Sequence, residues 1–112
     1  MKEVFDVDVW CDINYSDGIS AKVLDEIIRQ LKDLSAHCEV SDILGLKQFR
    51  IDDKTELMSE DEDDYDESTL VTGQVSVYCA TFSIANAREF VWDARETFEA
   101  FGLSEVHYTI CG

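Results

Sequence analysis

Residues 4–13 read VFDVDVWCDI, and this alternation constrains the fold more than any other feature of the chain. Phe5, Val7, Val9, Cys11 and Ile13 fall on one face of an extended segment, and Asp6, Asp8, Trp10 and Asp12 on the other. Successive side chains of a strand point to opposite sides, so a pattern of period two marks a half-buried strand. Its apolar face needs a covering layer. Its aspartate face cannot be covered by an apolar layer without stranding charge. A two-layer architecture with one open sheet face follows.

The rest of the chain supplies the cover. NYSDGIS provides turn residues, and residues 20–37 then carry Val23, Leu24, Ile27, Ile28, Leu31 and Leu34 at helical spacing, with Ser20 placed to cap the helix. Residues 38–53 are strand-like but irregular, with Gly45 suggesting a bulge. Residues 69–84 form a long strand with Val71, Val75, Val77 and Cys79 on one face. A second helix follows, in which Asn86 and Glu89 suggest a capping box. Phe90, Val91, Ala94, Phe98 and Phe101 form its buried stripe, and Gly102 suits its C-terminal end. SEVHYTICG closes the chain as a short strand. The order β-α-β-β-α-β predicts one α+β domain over residues 1–112: a ferredoxin-like sandwich, with a four-stranded antiparallel sheet and both helices on one face. A less regular α+β fold of the same element order is the alternative.

Between the two middle strands, residues 52–68 are expected to form a flexible acidic hairpin loop. From Asp52 to Glu67 the chain holds ten acids and one base, Lys54. Glu60, Asp61, Glu62, Asp63, Asp64, Asp66 and Glu67 crowd around Tyr65. A charge run of this kind is usually a solvated surface. Here it adds to a strand that already displays aspartates, and aspartate is depleted in strands. Aspartates at alternate positions stand roughly 7 Å apart. Nothing nearby in sequence neutralises them.

The formal charge of −16, from 25 acids against 9 bases, opposes direct binding to nucleic acid or to anionic membranes and favours a basic partner. An RNA-recognition reading of the fold, with Trp10 and Tyr78 to stack on bases, fails on the sign of the surrounding charge, and VSVYCATF also lacks the basic and glycine positions of that motif. The first ten residues contain no signal-peptide core and no run approaches transmembrane length. The expectation is a cytoplasmic protein (host-cell cytoplasm if phage-encoded) whose Cys11, Cys38, Cys79 and Cys111 are free thiols, mostly buried.

No motif for catalysis, cofactor or metal emerges. DEDDYD lacks the glycine of a calcium loop and has Tyr65 at its third ligand position. His107 and Cys111, four residues apart in a strand, are separated by about 13 Å, too far for one zinc ion. Trp92 falls off the buried stripe of its helix, either packing beneath a loop or marking an interface.

In size and charge the chain resembles the small acidic inhibitors of phages and mobile elements: anti-CRISPR and anti-restriction proteins and other DNA mimics. It also resembles the acidic immunity proteins that block nuclease toxins. The resemblance implies a non-enzymatic inhibitor that engages a basic nucleic-acid-binding enzyme or effector complex, as a monomer or homodimer. It carries no functional residue across. The contact residues expected from the charge pattern are Asp6, Asp8, Trp10 and Asp12, the run Glu60 to Glu67, and Trp92. The alternative from another class is a small-ligand-sensing module whose acidity serves solubility.

Overall fold

A computed structural model describes residues 3–38, 48–58 and 70–112. Strand β1 (Phe5–Ile13) leads through a single 3-10 turn (Tyr15–Asp17) into helix α1 (Ala21–Cys38). Strands β2 (Gln48–Met58) and β3 (Leu70–Thr81) follow, then helix α2 (Ile84–Glu99) and strand β4 (Val106–Cys111). The four strands form one sheet in the order β2-β3-β1-β4, with every neighbouring pair antiparallel.

Both helices lie on the valine face of the sheet. Val7, Val9 and Cys11 of β1 and Val71, Val75 and Val77 of β3 are fully buried, in one cluster with Leu24, Ile27 and Leu31 of α1 and Ala87, Phe90, Ala94 and Phe98 of α2. Each buried Val, Leu, Ile or Phe side chain among them contributes about 1.5–3 kcal/mol on leaving water. The strand face inferred from the alternation is therefore the buried one. Among the described residues no helix is long and apolar enough to cross a membrane.

Local chemistry sets the helix ends. Ser20 Oγ accepts from the Val23 amide at 3.3 Å at the start of α1. Helix α2 begins earlier than its sequence suggests: Ser83 is the N-cap and its hydroxyl accepts from the Asn86 amide. Asn86 thus lies within the first turn, and the capping role expected of it belongs to Ser83. At the other end the Leu103 amide reaches Phe98 O (3.2 Å) and the Gly102 amide reaches Glu99 O (2.9 Å). Gly102 sits at φ +82°, the left-handed conformation this closure requires. The turn brings Leu103 back onto Phe98 in the core.

Two boundaries differ from the expectation. Helix α1 continues to Cys38, where a strand was expected to start, and the Gly45 bulge lies outside the described residues. Strand β2 runs on to Met58, so residues 52–58 are paired strand, not loop. The β3 ladder supplies the reason: Asp53 stands opposite Val75, Thr55 opposite Gly73 and Leu57 opposite Val71. A backbone that can complete its hydrogen bonds on a strand does so despite acidic side chains that remain in water. Asp53 is exposed, and its Oδ1 accepts from the Thr55 amide at 3.0 Å and hydroxyl at 2.6 Å.

Candidate functional site: the open sheet face

The antiparallel registers assemble the face opposite the helices row by row. One row runs Arg50, Tyr78, Asp8, Thr109 across β2, β3, β1 and β4. The next runs Asp52, Ser76, Trp10, His107. In the third, Lys54 and Gln74 stand beside Asp12. Asp6, Asp8, Trp10 and Asp12 thus occupy one inner strand, and Asp52 joins them from the edge.

The aspartates are not left to repel one another. Tyr78 donates its hydroxyl to Asp6 Oδ1 at 2.5 Å, and Gln74 Nε2 donates to Asp12 Oδ1 at 3.1 Å. His107 Nε2 lies 3.9 Å from Asp12 Oδ2, an ion pair when the imidazole is protonated. Arg50 Nε lies 3.3 Å from Asp52 Oδ2, and its guanidinium carbon sits 5.1 Å from the centre of the Tyr78 ring. The bond to Asp6 holds the Tyr78 phenol above its usual pKa range; burial and the charges of Asp6 and Asp8 add to this, and Arg50 opposes it. Asp8 has no side-chain partner among the described residues. The expectation that nothing neutralises this face is therefore overturned. Arg50 and His107 come from strands remote in sequence, and only the register brings them in.

Trp10 is half-buried, not the exposed anchor expected from its setting between aspartates. Its ring stacks on His107, with centroids 5.7 Å apart and planes 28° apart. Both residues face the same side because Trp10 and His107 are register partners. The stack fixes the orientation of the indole.

Trp92 is 60% exposed but lies on the helix side of the sheet, lining a cleft against Phe5, Tyr108 and Ile110. The structure therefore does not bring Trp92 together with Trp10, and the two cannot touch one flat partner surface. The run Glu60, Asp61, Glu62, Asp63, Asp64, Asp66 and Glu67 lies outside the described residues. Arg50, Gln74 and His107 were absent from the sequence-derived set. A correct alignment of β2 and β4 against β1 and β3 is the signal that finds them.

Cys11 and Cys79 are buried free thiols, whereas Cys111 is exposed at the edge of the open face, against the expectation of burial. Among the described residues no group of three His, Cys, Asp or Glu side chains is placed to hold a metal ion.

No protein-family model and no curated protein matches the chain. Among solved structures it is similar to a hydantoinase/carbamoylase family amidase from Burkholderia ambifaria, with 12% identity and a TM-score of 0.45, over 97% of this chain and 27% of that one. The chain thus spans about a quarter of the amidase's length. A likeness at this level carries no argument about activity.

Proposed function

We propose that this protein is a non-enzymatic acidic inhibitor, acting in the cytoplasm, whose open sheet face covers the basic nucleic-acid-binding surface of another protein. The fold that presents this face is, in this reading, the ferredoxin-like sandwich. The observation that carries the proposal is the arrangement around Trp10: Asp6, Asp8, Asp12 and Asp52 surround an oriented indole on one face, with Asp6 and Asp12 held by Tyr78 and Gln74. Carboxylates already fixed in place lose little freedom on meeting a guanidinium or ammonium group, and preorganisation of this kind favours affinity. Asp8, without a side-chain partner among the described residues, is the carboxylate readiest to take an arginine from outside.

The whole-chain charge of −16 supports the same partner. It steers a basic surface inward, and a row of acids on a scaffold can stand in for a phosphate backbone with about one charge per 1.7 Å of duplex axis. Trp10 supplies the apolar contact at the centre, where interface anchors concentrate their energy. Arg50 makes the face mixed in sign, which gives register to the contact.

Capture tests the proposal. Immobilised protein is exposed to a bacterial lysate and then washed with duplex DNA. A nucleic-acid-binding protein that DNA displaces, and that an Asp8→Lys/Trp10→Ala variant fails to retain, is the expected result. Equal retention by the variant would remove the open face from the account.

A further inference from the structure

We infer that the cleft between α2 and the edge strand β4, on the helix side of the sheet, is a docking groove for an extended peptide segment of another protein, with apolar side chains flanking one carboxylate. This inference is independent of the open face.

Four large apolar side chains are exposed among the described residues: Tyr15, Ile84, Trp92 and Tyr108. Three of them, Ile84 (40%), Trp92 (60%) and Tyr108 (55%), line this one cleft, together with Ile110. Scattered exposed apolar residues need no explanation, but clustered ones mark an interaction surface. The cleft encloses about 560 Å³, room for several side chains.

Its charge is the reverse of the chain's. The charged side chains lining it are Arg88 and Arg95, in a protein of net −16. Arg95 Nε is bonded to Glu99 Oε1 at 2.9 Å, whereas Arg88 has no ion-pair partner among the described residues. An exposed, unpaired arginine beside an aromatic wall suits a carboxylate. A polyanion would meet the field of the whole molecule. A single carboxylate in contact with guanidinium groups lies well inside the Debye length of about 8–10 Å, so the near charges dominate.

The shape specifies an extended occupant. Among the described residues β4 is the last strand of the sheet and its outer edge has no partner strand, so an extended segment can pair with it. Ile84, Arg88 and Trp92 follow one another at four-residue spacing along α2. Such residues stand about 6 Å apart on a helix, close to the roughly 7 Å between alternate side chains of a strand. A peptide paired to β4 thus presents successive inward side chains to Ile84, Arg88 and Trp92 in turn. The matching sequence is apolar-x-acid-x-apolar. A second copy of this chain fits less well, because a two-fold contact sets arginine against arginine and joins two chains of −16.

The test uses the full chain and a fluorescein-labelled, end-blocked peptide of valine, threonine and glutamate in that pattern, followed by fluorescence anisotropy. Binding is expected to weaken about tenfold with Arg88→Glu, with Trp92→Ala, and when lysine replaces the peptide's glutamate, and to be unchanged by Lys22→Ala, at an exposed position of α1 away from the cleft. N-methylation of the peptide's alternate amides along the pairing edge is expected to abolish it. Circular dichroism checks that both protein variants, altered only at exposed positions, remain folded. Absence of binding, equal binding of the lysine peptide, or equal binding of the N-methylated peptide overturns the inference. So does a sedimentation result in which the protein is a dimer that Trp92→Ala dissociates, for then a second copy occupies the cleft.

Discussion

Trp10 and His107 stack across the β1–β4 pair with their ring centroids 5.7 Å apart. This contact orients the indole at the centre of the open face, and His107 also approaches Asp12. Replacing His107 by alanine is expected to expose Trp10 and to cost about 0.5–1.5 kcal/mol, the usual worth of an aromatic pair beyond its area. Red-shifted tryptophan emission in a Trp92→Phe background, with a lower urea midpoint, checks this. Unchanged emission would show that the stack does not order Trp10 in solution.

The cap of α2 gives a sharper contrast. Ser83→Ala removes the hydroxyl that accepts from the Asn86 amide and is expected to cost about 1 kcal/mol. Asn86→Ala, at an exposed position inside the helix, is expected to be neutral within about 0.5 kcal/mol. Denaturant midpoints of the two variants distinguish them.

Phe98 is fully buried, and Leu103 folds back onto it beyond Gly102. Phe98→Ala is expected to cost about 3–5 kcal/mol. That is a large share of the roughly 5–15 kcal/mol that holds a typical domain folded. Urea unfolding followed by far-UV circular dichroism should show a much lower midpoint, or a chain already unfolded without denaturant.

Alkaline pH bears on Cys11. Burial, with Asp12, Asp17 and Glu105 adding, pushes its thiol up from the ordinary 9.0 to about 12. The unfolded chain loses this proton near 9.0 while the folded chain keeps it to about 12, so the folded state binds the extra proton between those values. The stability contributed by the protonated thiol is complete below 9.0 and is lost as pH rises through that window. Urea midpoints measured across it should fall less steeply for Cys11→Ala than for the parent. Maleimide should label exposed Cys111 in the folded protein and reach buried Cys11 and Cys79 only in denaturant.

The buried face of β1 was legible in the sequence because alternation over nine residues admits one solution once a core exists. The helices were legible from their stripes, and Ser20 from its place before one. The end of β2 was not. Asp52, Asp53 and Glu56 read as loop, and only the ladder with β3, a contact remote in sequence, holds them extended. Ser83 was overlooked because Asn86 and Glu89 have the spacing of a capping box, although the helix had already begun. The partners of the aspartates escaped for a related reason. Tyr78, Gln74, Arg50 and His107 meet Asp6, Asp12, Asp52 and Trp10 through strand register, which residue spacing within one segment does not encode.

The central claim is that the face around Trp10 docks on a basic surface, and association kinetics with the DNA-displaceable partner test it most directly. Rates are measured at two salt concentrations for the parent, for an Asp6→Asn/Asp8→Asn/Asp12→Asn variant and for Trp10→Ala. The parent should associate fast, with a rate that falls steeply as salt rises. The aspartate variant should associate more slowly and with weaker salt dependence, while Trp10→Ala should mainly speed dissociation, by about tenfold or more. Unchanged rates in both variants would contradict the account and place the contact elsewhere on the molecule.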